Sequence, residues 1–335
     1  MVWFNNRVSY SAIVWLRSCP MAFDLSMSGV RGKLRDTFQK GADFGVLSEA
    51  VWDRILLDRW LEKPEAEVES LLIKELKDMD TESAEKFEGG FLDTFVRLRK
   101  VLDFDYKVSL QEKLKVPIRG MEQYGKLDYL ITSNDPDNPR TLIIDAKATR
   151  GKKKEIPAQL LHYAYLYRHI HGVLPETYAM YTRMGRIDKY NYTDKTLDDY
   201  GAVLEREMSA IIPARKKELA HFYQLAQKLP LLSSIDMPGL VALLDARKQG
   251  TLPDKIGKMF KLSPDSAESK SLVKALKADI PEIYPGVVSS KCYMCPQANT
   301  CQLNLDAVDR KRNPMKYVEQ IPLEHKVEGV FELDF

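Results

Sequence analysis

Gly125-Lys126-Leu127-Asp128 and, thirteen residues later, Thr141-Leu142-Ile143-Ile144-Asp145-Ala146-Lys147 are the stretch on which the reading of this chain turns. Thr141 to Ile144 is a compact apolar run of the kind that forms a buried strand, and it ends in Asp145-Ala146-Lys147. Alternation along a strand puts Asp145 and Lys147 on one face while Ala146 presents its backbone carbonyl. Upstream, Val108–Ile118 and Lys126–Ile131 are short runs of mixed polarity, and Gly120–Gly125 between them has turn composition, so a hairpin is predicted. Ser133–Pro139 reads as an exposed loop. If the second arm of the hairpin lies beside the strand, Asp128 joins Asp145 and the Ala146 carbonyl in an oxygen-rich patch suited to magnesium or manganese. A metal there would polarise a phosphodiester and acidify a bound water, with Lys147 orienting that water or offsetting charge on the phosphate. A bare Asp-x-Lys, taken alone, is more often a surface ion pair.

Downstream, Ile156, Leu160, Tyr163, Tyr167 and Ile170 keep helical spacing, with Gln159 one turn before Tyr163. Gly125-x-x-Asp128, Asp145-x-Lys147 and Gln159-x-x-x-Tyr163 together resemble the PD-(D/E)xK nuclease superfamily, within it the RecB-like branch. The resemblance implies a restriction-endonuclease-like α/β core with a small mixed central sheet and flanking helices. It also implies metal-dependent DNA cleavage. Asp128 and Asp145 would be metal ligands with the Ala146 carbonyl, Lys147 the catalytic cation, and Gln159 and Tyr163 contacts to the strand or the metal-site shell.

The cysteines extend the likeness. Cys292-Tyr293-Met294-Cys295 and Cys301 make C-x2-C-x5-C, and Cys19, in Cys19-Pro20-Met21-Ala22-Phe23, is the fourth and last in the chain. Four thiolates hold zinc or an iron–sulfur cluster, and spacing does not separate the two. One N-terminal and three C-terminal cysteines enclosing the core resemble the iron–sulfur members of the branch, the CRISPR-associated exonuclease family and the AddB-type nuclease domains, which implies a [4Fe–4S] cluster joining the two ends of the chain. That family usually carries a His on the helix before the core. Gly41-Ala42-Asp43-Phe44-Gly45 stands there without one, leaving Asp43 or Glu49 as a substitute ligand, or exposed helix charges. Glu112 reads either as a site neighbour or as an exposed strand charge.

Hydrophobic residues at 44% and charged residues at 29% describe an ordinary globular protein, and 50 Lys+Arg against 48 Asp+Glu leave no global basic signal for nucleic acid. A DNA path is therefore local, with Lys152, Lys153 and Lys154 after Arg150-Gly151 as the candidate and Arg310-Lys311-Arg312 as a second basic run. No run spans a membrane and the opening Met1-Val2-Trp3-Phe4 is unlike a secretory signal, so a cytoplasmic protein is expected. A complete phosphate-binding loop is absent, so no ATPase is encoded, and any helicase or other DNA-processing protein would act in trans.

Arg31–Glu62 reads as helix with Val46, Leu47, Val51 and Ile55 on an apolar face, and Glu65–Lys100 as further amphipathic helices. Tyr178–Tyr181 and Arg186–Tyr192 read as strands around an Arg183-Met184-Gly185 turn. Leu197–Leu232 reads as long helix, and Met237–Ile280 as short helices broken by Pro238, Pro253 and Pro264. The expected organisation is a nuclease core with the N-terminal cluster segment over 1–192, a helical insertion over 193–289 and the cysteine segment and tail over 290–335. The predicted activity is exonucleolytic cleavage of single-stranded DNA or DNA ends. The alternatives are a catalytically weak nucleic-acid-binding subunit and a zinc-stabilised structural or interaction protein.

Overall fold

The computed structural model describes residues 7–28, 36–77, 79–149, 151–152 and 154–277. The chain divides into two compact units, one of Asp36–Glu207 and one combining Met1–Arg35 with Met208–Phe335. The protein is mixed α/β, with two small sheets and flanking helices.

A short strand β1 (Arg7–Ser9) leads into α1 (Tyr10–Ser18), whose N-terminus is capped by the Ser9 hydroxyl accepting from the Ala12 amide at 3.3 Å. Pro20 opens α2 (Pro20–Met27), and the residue before a proline is driven out of helical geometry. Cys19 is accordingly extended at φ −157°, ψ 92°, and it is buried at this corner. In the same unit Asp24 accepts from Arg215 Nη1 and pairs with Lys248 Nζ, both at 2.6 Å.

In the other unit α3 (Asp36–Leu57) buries Phe44, Ser48, Val51, Trp52, Ile55 and Leu56. Val46 and Leu47, expected on that face, are 67% and 39% exposed. Val46 lies more than a third of a turn from the stripe that 3.6-residue periodicity builds on Phe44, Ser48 and Val51, and Leu47 falls at its edge. After α4 (Glu65–Leu76), α5 (Thr81–Val101) starts at Asp80, whose carboxylate accepts from the Ser83 amide at 2.9 Å. Phe87, Phe91 and Phe95 stack at i, i+4 with successive ring centroids 5.6 and 5.4 Å apart, and Trp52 packs on the first two.

Strands β2 (Tyr106–Leu110), β3 (Lys113–Ile118), β4 (Met121–Lys126), β5 (Tyr129–Ser133) and β6 (Thr141–Lys147) follow. Two residues, Arg119 and Gly120, make the turn, both with positive φ as a tight hairpin requires, and Ile118 opposes Met121. Met121–Gly125 is thus strand, not the turn that its glycine suggested. The hairpin is also divided. Lys113–Ile118 pairs with Met121–Lys126, and Tyr106–Leu110 pairs with Tyr129–Ser133 in a different sheet. Helix α6 (Ile156–His171) crosses over to β7 (Glu176–Tyr181), which pairs parallel with β6, and β8 (Arg186–Tyr190) returns antiparallel.

The five-stranded order is β2-β5-β6-β7-β8, with β6–β7 the parallel pair. Tyr129, Ile131, Leu142, Ile144, Tyr178 and Met180 form one core with α3 and α5. Strand alternation turns Ile143, Asp145 and Lys147 the other way, toward the side on which α6 packs. Beyond lie α7 (Asp194–Gln227), α8 (Met237–Lys248), α9 (Leu252–Phe260) and α10 (Ala267–Leu276). Pro238 and Pro253 stand in the first turns of α8 and α9, where the missing N–H costs nothing, so they start helices instead of breaking them. Leu240, Leu243, Leu244, Leu252, Ile256 and Leu272 give these last helices a core of their own.

Candidate active site

The patch forms where the ribbon of β2–β3 and β4–β5 changes sheet. Leu110 opposes Tyr129 and Lys113 opposes Lys126, so Gln111 and Glu112 span the step against Leu127 and Asp128. Gln111 takes φ 54° there, its amide donates to the Asp128 carbonyl at 3.1 Å, and the Leu127 amide donates to the Glu112 carbonyl at 2.8 Å. Backbone pairing therefore holds Asp128 at the step, beside β6, and its Oδ2 accepts from the Ala146 amide at 2.9 Å.

Asp145 is 1% exposed. Lys147 Nζ lies 2.7 Å from Asp145 Oδ2 and 3.9 Å from Asp128 Oδ2. Burial works against the Lys147 charge, but Asp145 and Asp128 outweigh it and raise the ammonium above its ordinary value, so Lys147 is a cation at neutral pH. Gln159 Nε2 donates to Asp145 Oδ1 at 3.1 Å and to the Tyr163 hydroxyl at 2.7 Å. Tyr163 is buried, so the Gln-x-x-x-Tyr pair acts on Asp145 from α6 and forms part of the shell around the acidic patch.

Gly125 explains the glycine of Gly-x-x-Asp. A Cβ at that position would stand 3.1 Å from both Tyr163 Cδ1 and Leu166 Cδ1, so its absence lets α6 approach β4.

Helix α3 supplies two further carboxylates. Glu49 accepts a hydrogen bond from Gln111 Nε2, and its carboxyl is pushed up by burial, then by Asp128 and Asp53, with Lys126 and the Gln111 bond opposing. Asp53 is also raised, chiefly by burial, with a Tyr129 hydrogen bond opposing and Asp128 reinforcing. Of the two candidates for the missing His, Glu49 faces the patch and Asp43 is exposed. Asp53 and Gln111 were not anticipated. The i, i+4 spacing of Glu49 and Asp53 was the available signal for one, whereas Gln111 is placed by the sheet step alone. Glu112 is exposed.

Among the described residues no group of three or more His, Cys, Asp or Glu is close enough to form a metal cage by itself. Lys152 pairs with Asp188 at 2.7 Å and so braces β8; Lys154 is exposed, and Lys153, Arg150 and Arg310-Lys311-Arg312 lie outside the described residues. So do Cys292, Cys295 and Cys301, leaving Cys19 as the described member of the four-cysteine set. Among the described residues no helix is long and apolar enough to cross a membrane.

No protein-family model matches the chain, and a search of curated proteins gave no match.

Proposed function

We propose that this chain is a metal-dependent nuclease of PD-(D/E)xK type, hydrolysing phosphodiesters of single-stranded DNA or DNA ends, most simply as an exonuclease. The observation that carries the reading is the convergence of Asp128, Asp145 and Lys147, from the sheet step and the end of β6, with Glu49 facing them from α3. The order of helix, antiparallel strands, crossover helix and parallel strand from α3 to β7 supports a restriction-endonuclease-like core.

The donor set fits a hard divalent cation. Its ligands are carboxylate oxygens, and negative charge is in excess, since Asp128, Asp145, Glu49 and Asp53 are set against Lys147 and Lys126. Magnesium commonly takes one or two protein carboxylates and completes its shell with water and substrate phosphate, so Asp128 and Asp145 with the Ala146 carbonyl suffice without a three-acid cage. When bound, magnesium or manganese would polarise the phosphodiester and acidify a water. Lys147 offsets charge on the phosphate and Gln159 fixes the orientation of Asp145, while Tyr163 holds Gln159 in place. A [4Fe–4S] cluster on Cys19, Cys292, Cys295 and Cys301 belongs to the same proposal. Iron and sulfide analysis of anaerobically purified protein decides between it and zinc.

The test is cleavage of end-labelled single- and double-stranded DNA with magnesium and with manganese, comparing wild type with Asp145→Ala. Metal-dependent products from wild type alone are expected. A folded protein that binds DNA and cuts none of these substrates would instead be a nucleic-acid-binding subunit.

A further inference from the structure

A groove of about 530 Å³ runs between the start of α9, the loop after it and α10. Pro253, Pro264 and Val273 give it an aliphatic floor, and Lys270, Lys274 and Lys277 follow along one face of α10 at i, i+4 and i+7, so that ammoniums rim one side. These cations are uncompensated. Lys274 and Lys277 are exposed with no ion-pair partner among the described residues, and Lys270 has only Asp265 at 3.7 Å, the two side chains being 66% and 97% exposed. The helix dipole accounts for cations in the last turn of α10 but gives nothing to Lys270, which stands in its N-terminal half. An aliphatic floor beside a row of cations fits an occupant with both apolar side chains and carboxylates. Nucleic acid fits it less well, because unpaired bases stack on aromatic rings and no ring lines the groove among the described residues.

The chain itself contains such a segment. Glu328-Gly329-Val330-Phe331-Glu332-Leu333-Asp334-Phe335, outside the described residues, carries three carboxylates and no Lys or Arg. In an extended conformation Phe331, Leu333 and Phe335 would share one face, and Glu332 and Asp334 the other, about 6–7 Å apart. Lys270 and Lys274 are separated by about 6 Å of helix rise, so the two spacings match. We propose that this groove docks residues 328–335 of the same chain. Phe331, Leu333 and Phe335 lie on the aliphatic floor, while Lys270 and Lys274 reach up on their long stems to Glu332 and Asp334. Covalent attachment favours this source over a separate peptide by keeping the segment at high effective concentration, and residues 278–327 supply ample chain for the return. The docking does not depend on the nuclease reading.

Carbodiimide coupling of the full chain, read by mass spectrometry of its digest, provides the test, because the reagent joins an ammonium to a carboxylate without a spacer and so reports only pairs in contact. Links from Lys270 or Lys274 to Glu332 or Asp334 are expected, in a yield unchanged when the protein is diluted. Phe331→Ser/Phe335→Ser leaves every carboxylate in place and should lower that yield roughly tenfold or more, the scale of losing a buried aromatic side chain. Absence of these links in the wild type would overturn the docking. So would a yield that falls on dilution, which would place the segment on a second copy, or an undiminished yield in the double variant, which would leave the aliphatic floor without a role.

Discussion

Lys147 Nζ lies 2.7 Å from Asp145 Oδ2, and the carboxylate at the other end of that contact is 1% exposed. Charge and burial make this pair both chemical and structural. Lys147→Ala and Asp145→Ala should each reduce cleavage by roughly 10²–10³-fold, as loss of a preorganised electrostatic group does. Lys147→Ala also strands a buried carboxylate and should cost about 3 kcal/mol in denaturant unfolding. The double variant Asp145→Asn/Lys147→Met should recover much of that stability and none of the activity. A double variant as unstable as Lys147→Ala would show that the pair's charges are not what the fold feels.

Glu49 sets stability against function. Its carboxyl is raised above 4.5 by burial, Asp128 and Asp53, so protonation favours the folded state. Its favourable contribution is present below the unfolded value and is lost as pH rises through the raised one. Glu49→Gln, neutral at every pH, should therefore melt higher than wild type at pH 7, with the difference shrinking toward pH 4.5. The same variant should cleave more slowly. Equal melting of the two proteins at pH 7 would refute the strain.

At the start of β7 the sign is opposite. Burial pushes the Glu176 carboxyl up, but Arg140 Nε at 2.9 Å, Lys189 Nζ at 2.7 Å and the Tyr178 hydroxyl at 2.8 Å overcome it and bring it down to about 2. That stabilisation is present above the unfolded value of 4.5 and is lost as pH falls toward 2. Discounted for solvent screening, it is of order 1–2 kcal/mol. Glu176→Gln should be less stable than wild type by that amount at pH 7, and the gap should close on acidification through this window. A gap independent of pH would mean packing, not charge.

Adjacent glycines in α5 should respond in opposite directions. A Cβ on Gly90 would stand 2.0 Å from the Thr182 carbonyl oxygen, so Gly90→Ala must push α5 off the end of β7, a backbone clash costing about 1–3 kcal/mol or more. A Cβ on Gly89 meets nothing within 4 Å, and Gly89→Ala should gain up to about 1 kcal/mol of helix propensity. Thermal melts of the two single variants separate the effects, and a like-signed shift would contradict the packing of α5.

The sequence by itself determined the strand ending in Asp145-Ala146-Lys147, the α6 helix with Gln159 and Tyr163 one turn apart, the β7–β8 pair and the succession of helices from α7 to α10. Each follows from local periodicity and turn chemistry, which a linear chain carries in full. Only the tertiary structure decided where the hairpin divides. The pairing of Lys113–Ile118 and that of Tyr106–Leu110 lie in different sheets, and nothing in their composition marks the step at Gln111 that holds Asp128 beside β6. The apolar face expected of α3 held at Val51 and Ile55 and failed at Val46 and Leu47 for a related reason. Val46 and Leu47 are as apolar as their buried neighbours, and the way the helix meets the sheet buries Phe44, Ser48 and Trp52 beside Val51 and Ile55 in their place. The same rotation brings Glu49 and Asp53 toward Asp128, and two carboxylates a helical turn apart carry no sign in the sequence of which face will be buried. Local order is written residue by residue, whereas the company a side chain keeps depends on long-range packing.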